Sequence, residues 1–139
     1  MTRLAIATFE DATNQRAGER VTRIFDREIA DALGKDHFER LDESEPRGML
    51  DVGQTERALS ASGADGLVVG RVLAFAWQQP YGRVWVSIAV RLLSRHGRIL
   101  WTQNVTGARS ATAPSDALFD SATRDAAKEF IHDLMANPA

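Results

Sequence analysis

GLVVGRVLAFAWQQPYGRVWVSIAVRLLS, residues Gly66 to Ser94, is the stretch that decides the fold. Two long apolar runs, Leu67 to Gln78 and Arg83 to Leu93, flank Gln79-Pro80-Tyr81-Gly82, which sets Pro and Gly where a type I turn prefers them. The stretch reads as a β-hairpin. If Gln79 and Gly82 close the turn, paired residues have numbers that sum to 161, and both faces can be read off. One face collects Val69, Leu73, Phe75 and Trp77 with Val84, Val86, Ile88, Val90 and Leu92. The other collects Gly70, Val72, Ala74 and Ala76 with Trp85, Ser87, Ala89 and Arg91. A bulky face and a small-residue face, both mostly apolar, predict a central sheet covered on both sides, with a helix backbone nearer the small face. Arg71 interrupts the bulky face, the mark of a bulge or of a register displaced by one residue.

Working outward, Leu4 to Phe9 alternates as a short strand, and the polar run Glu10 to Gln15 after it is rich in residues that cap helices. From about Ala17 the apolar positions Val21, Ile24, Phe25, Ile29, Ala32 and Leu33 fall at helical spacing. The outer face of this helix carries Glu19, Arg20, Arg23, Arg27 and Asp31 as a solvated stripe, and Gly34 stands where a C-terminal cap is expected. A second strand fits His37 to Leu41, a loop Asp42 to Gly48, and a modest helix Val52 to Ala61. Beyond the hairpin, a turn at Arg95-His96-Gly97-Arg98 returns the chain into Ile99 to Val105, making an antiparallel meander. Pro114-Ser115 then introduces a long helix with an apolar stripe of Leu118, Phe119, Ala122, Ala126, Phe130, Ile131 and Leu134, stopped by Pro138. The order β-α-β-α-β-β-β-α predicts one α/β domain over residues 1–139, a mixed central β-sheet with helices packed on its faces.

A chain of 139 residues is long enough for one ordinary core without staples. The absence of Cys excludes structural disulfides, thiolate metal sites and a thiol nucleophile. A formal charge of -2 provides no general basic field for phosphate backbones, although it leaves room for a local patch. Met1-Thr2-Arg3 leads straight into the first strand without the regions of a signal peptide, and no apolar run approaches the length of a membrane span.

Catalytic signatures are missing. His37, His96 and His132 fall in a strand start, a turn and the last helix, without metal-ligand spacing. There is no G-x-S-x-G elbow, and Gly63, Gly66 and Gly70 bracket a strand rather than precede a helix, which assigns them to turns and close packing. Trp77, Tyr81, Trp85 and Trp101 could be arranged as the exposed aromatics of an RNA-binding sheet, but the recognisable motif is missing and the net charge has the wrong sign. What remains is the hairpin tip. A strand of 12 residues runs roughly 40 Å, whereas the first helix spans only about 27 Å, so the hairpin should outrun its cover. Trp77, Gln79, Tyr81, Arg83 and Trp85 cluster there, and aromatics with Arg are what protein interfaces enrich. Two readings stand: an interaction site, or both Trp side chains folded back onto the helix ends as core.

Four segments together resemble a known family. LAIATFEDATN (Leu4 to Asn14), FERLDESE (Phe38 to Glu45), SGADGLVVGRV (Ser62 to Val72) and VRLLSRHGRILWTQNVTG (Val90 to Gly107) are similar, in order, to the strands of CsgG- and LpoB-like domains of bacterial envelope lipoproteins, a fold also found at the N-terminus of TolB. The resemblance implies a periplasmic, non-enzymatic, cofactor-free interaction module. Its expected partner is an envelope protein such as a peptidoglycan synthase, with no nucleic acid. Outer-membrane tethering through a lipidated Cys is implied, and the anchor is absent from this chain, so the 139 residues read as a mature domain without its signal and tether.

The chain also departs from the family. Ser94 stands where relatives often carry Asp before the Gly turn, so any role of that Asp does not transfer. The tight turns at Pro80-Tyr81 and His96-Gly97 leave no room for the membrane-inserting hairpins of the channel formers. The alternative function is a ligand-binding domain or an enzyme using Glu10, Asp11, Thr13 and Asn14 at the carboxyl edge of the sheet, where open α/β sheets bind ligands.

Overall fold

The structure, a computed structural model, describes residues 3–13, 16–34, 38–40, 56–57, 59, 63–79 and 81–136. Its elements are β1 (Leu4–Ile6), β2 (Glu10–Asp11), α1 (Gly18–Leu33), β3 (Phe38–Arg40), β4 (Gly66–Gln78), β5 (Arg83–Ser94), β6 (Ile99–Ser110) and α2 (Asp116–Ala136). His37, the loop Asp42 to Gly48, Pro80 and Pro138 lie outside the described residues, as does most of the expected helix Val52 to Ala61. Of that helix Glu56, Arg57 and Leu59 are described as helical, and Leu59 is buried.

The sheet is mixed, as its element order predicts, in the spatial order β3-β1-β4-β5-β6. β1 runs parallel to both β3 and β4, while β4, β5 and β6 form the antiparallel meander. The first strand is shorter than its alternation suggests. After Ala7, whose N–H still donates to the Val68 carbonyl at 3.1 Å, the chain leaves the ladder and rejoins β4 as β2, Glu10 and Asp11 pairing with Arg71 and Val72. Phe9 causes the break: its N–H donates to Thr22 Oγ1 of α1 at 2.8 Å instead of to a strand. Its ring fills the space above Gly70, where a Cβ would stand 2.9 Å from the ring.

Along the hairpin the 161 register holds from Ala74–Ser87 to Gln78–Arg83, but between Val72 and Ala74 it shifts, and Gly66 to Val72 pair one residue out of step. Leu73 is the bulged residue, 43% exposed. The bulge moves Val68, Gly70 and Val72 onto the face of Val86, Ile88 and Val90. Val69 and Arg71 pass to the other face, which corrects the face assignment for the root of β4 and explains the anomalous arginine.

α1 and α2 pack on the bulky face. One core joins Val21, Phe25 and Ile29 of α1 and Ala122, Ala126 and Phe130 of α2 to Val68, Val72, Phe75 and the even-numbered residues Val84 to Leu92 of β5. Edge-to-face Phe9–Phe25 at 5.2 Å and stacked Trp101–Phe130 at 5.3 Å lock its centre. α2 comes close to the sheet here: a Cβ on Gly107 of β6 would lie 1.8 Å from the carbonyl oxygen of Ala122. The helix backbone expected nearer the small-residue face is represented among the described residues by Leu59, whose neighbours in that helix lie largely outside them. That face carries a second cluster, Ala5, Ala7, Leu59, Ala64, Leu67, Val69 and Leu93, only at the root of the hairpin. Toward the tip, Arg71, Ala74, Ala76, Trp85, Ser87, Ala89 and Arg91 are half-buried or exposed.

Candidate functional site

The tip is built by the pairing of Gln78 with Arg83 and by Gly82, whose φ of 62° lies in the left-handed region. The end of β6 braces it, the Ala111 N–H donating to the Gly82 carbonyl at 3.0 Å. Arg83 is the organising side chain. Its guanidinium carbon lies 5.3 Å from the Tyr81 ring centroid and 5.1 Å from that of Trp85, and its Nε donates to Gln78 Oε1 at 2.6 Å. Cation–π contact on two rings, with the hydrogen bond, holds a long side chain that would otherwise be mobile. Tyr81 is 72% exposed, Gln79 is exposed and Trp85 is half-buried, so the stack faces solvent.

Trp77 does not join it. Because Trp77 pairs with Val84 and Trp85 with Ala76, the two indoles stand on opposite faces. Trp77 packs partly buried against the helix-side core, its Nε1 sequestered without an acceptor. Folding back as core thus describes Trp77 alone, and of the five candidate residues Gln79, Tyr81, Arg83 and Trp85 share the exposed tip.

The loop after β1 is committed to structure. Asp11 Oδ1 accepts from the Thr13 N–H at 2.7 Å and from the Thr13 hydroxyl at 2.5 Å, and Oδ2 accepts from the Ala17 N–H. Asp11 thereby caps α1 from upstream, where Ala17 at the N-cap has no side chain able to do so. Burial, the largest single influence, pushes this carboxyl up. The donors of Thr13, Ala17 and Gly18 together outweigh it and hold the carboxyl below its ordinary range. Glu10 sits 3.9 Å from Arg71; Asn14 lies outside the described residues. At the second turn Ser94 Oγ accepts from the N–H groups of His96 at 3.2 Å and Arg98 at 3.1 Å, turn-capping bonds that an aspartate could also make. Among the described residues no cluster of His, Asp and Glu could hold a metal ion, and no helix is long and apolar enough to cross a membrane.

The distribution of charge is the feature that motif reading missed. β4, β5 and β6 carry four arginines and no acidic residue, whereas α1 and α2 carry nine acidic and five basic side chains. Arg109 faces α2 in a two-point pair with Asp125 at 2.7 and 2.9 Å. Arg71, Arg83 and Arg91 all lie on the open face, and Arg91 has no acidic partner among the described residues. The signal was available: residues 66 to 110 hold six arginines and no aspartate or glutamate.

No protein-family model matches the sequence, and no curated protein matches it either. The architecture, by contrast, has counterparts among solved bacterial proteins. It is similar to PelC, a dodecamer from Paraburkholderia phytofirmans, at a TM-score of 0.73 and 13% identity over 98% of this chain and 89% of that one. It is also similar to lipoprotein GNA1162 from Neisseria meningitidis (TM-score 0.58, 12% identity, 99% of this chain and 100% of that one). XCC0632 from Xanthomonas campestris aligns at a TM-score of 0.60 and 15% identity over 95% of this chain and 80% of that one. The likeness is one of fold, shared with a protein that is itself a lipoprotein, and nothing in it is specific to CsgG.

Proposed function

We propose that this domain is a non-enzymatic, LpoB-like interaction module of the bacterial periplasm, belonging to an outer-membrane-tethered lipoprotein and binding an envelope protein such as a peptidoglycan synthase. The observation that carries the reading is the solvent-facing stack of Tyr81, Arg83 and Trp85, residue types that dominate binding energy at protein interfaces. The alternative use of the first loop as a ligand or catalytic site is disfavoured, because the carboxylate of Asp11 is engaged in capping α1. The test is capture of purified periplasmic domains of peptidoglycan synthases by the domain. Tyr81→Ala and Trp85→Ala should weaken capture while leaving the circular dichroism spectrum unchanged; unaltered capture removes the tip as the contact.

A second reading, assembly of identical copies as in the PelC dodecamer, is favoured by one feature: β6 is an edge strand of 12 residues. Light scattering on the purified domain distinguishes the two, a discrete oligomer supporting assembly and a monomer removing it.

A further inference from the structure

We infer that the open face of the sheet docks an acidic segment of a partner polypeptide, with Arg83 and Arg91 as its two ends and Trp85 between them. The inference rests on the reading of the tip as a contact and names the chemistry of what it contacts. Arg83 and Arg91 lie on the same face of one strand, eight positions apart, a span of about 27 Å that an extended peptide of similar length would match. Arg71 flanks this line from β4, opposite Ala89, so three guanidiniums surround one floor. Ala74, Ala76, Ala89 and Ala108 keep that floor flat and leave the half-buried Trp85 raised above it. On β6 Thr102, Asn104 and Thr106 supply exposed uncharged hydrogen-bonding groups beside it.

Charge complementarity selects the occupant. Among the described residues only Glu10 opposes the three arginines on this face, and at 3.9 Å it reaches only Arg71. A second copy presenting the same face would bring arginine against arginine. A copy presenting its helix layer would offer carboxylates of which Asp116, Asp120 and Asp125 are engaged with Arg20 and Arg109, and would bring Arg23, Arg27, Arg124 and Lys128 against the same arginines. A nucleic acid gains its affinity from many phosphate contacts in a basic field, and three arginines on a chain of charge -2 supply few. An acidic strand with one aromatic anchor point fits what is present.

Isothermal titration of the full chain with an oligoglutamate peptide of about eight residues tests this. Saturable binding that weakens with salt is expected, with Arg91→Glu lowering affinity about tenfold and Arg91→Lys retaining most of it. Arg91→Gln, which removes the charge without reversing it, is the fallback if the reversal perturbs folding, and should lower affinity about fivefold. Absence of peptide binding overturns the inference. So does equal binding of a single-stranded oligonucleotide or of phosphatidylglycerol vesicles, or self-association that Arg91→Glu abolishes. If Tyr81→Ala weakens capture of a synthase domain while Arg91→Glu does not, the tip contact stands and the acidic partner is lost; if neither weakens it, both fall.

Discussion

The two faces of the β4–β6 meander are made from the same three strands and have opposite characters. The helix side is close-packed: Phe25, Phe130, Val86 and Ile88 are fully or nearly fully buried, and Gly107 is there because α2 leaves no room for a methyl group. The open side is floored with alanine and serine and holds three arginines and a tryptophan. The helix side is packed along its whole length and the open side only at the root, through Leu67, Val69 and Leu93, so toward the tip the arginines and Trp85 stand where packing does not require them. The contrast predicts that the same small change has very different costs on the two sides.

Gly107→Ala should show the largest effect. The clash with the Ala122 carbonyl oxygen is between backbone elements, so no rotamer relieves it and α2 must lift off the sheet. A loss on the order of 3 kcal/mol or more is expected from urea denaturation, toward the upper end for overpacking. Its neighbour Ala108→Ser, pointing to the open side, should change stability by less than about 0.5 kcal/mol. Equal costs at the two positions would break the comparison.

These two faces were only partly legible in the sequence, and the reasons are particular. The turn at Gln79 to Gly82 sets the register correctly as far as Ala74, because a hairpin transmits its register residue by residue from the turn. The bulge at Leu73 interrupts that transmission, and Arg71 on the wrong face was its only outward sign. Which face the helices choose depends on long-range contacts such as Gly107 with Ala122, and a glycine in a strand does not announce what approaches it. At the tip, the clustering of Tyr81, Arg83 and Trp85 follows from residue types and spacing, and the register already sets Arg91 on the face of Trp85, whereas Arg71 joins them only through the bulge.

Asp11 links the covered side to the chain entering it, and its loss should cost about 1 kcal/mol when replaced by Ala, the usual cost of a helix cap. The pH dependence has a definite sign. The carboxyl is held below its ordinary value of 3.8 in the folded protein, so its contribution is fully present above that value and fades as pH falls through the folded value. The gap between the native chain and Asp11→Ala in thermal melts should therefore be widest near neutral pH and close below about pH 4. A gap that persists unchanged into acid would mean that the charge of Asp11 is not what caps α1.

The smallest expected effect is the most direct test of openness. Ala89 sits between Arg71 on β4 and Asn104 on β6, half-buried in the middle of the small-residue floor. Ala89→Val adds two methyl groups and improves strand propensity, so on an uncovered face it should be neutral or stabilise by up to about 0.5 kcal/mol. The same change at Ala126, buried where α2 meets the core, adds that volume to a filled interior and should cost on the order of 1–3 kcal/mol. If Ala89→Val instead destabilises as strongly as Ala126→Val, the floor is packed against something and its arginines are not free to meet a partner. If it is neutral for stability yet weakens oligoglutamate binding, the added bulk lies between the strand and its occupant, which places the acidic segment across β5 at Ala89 and not only at the Tyr81 tip.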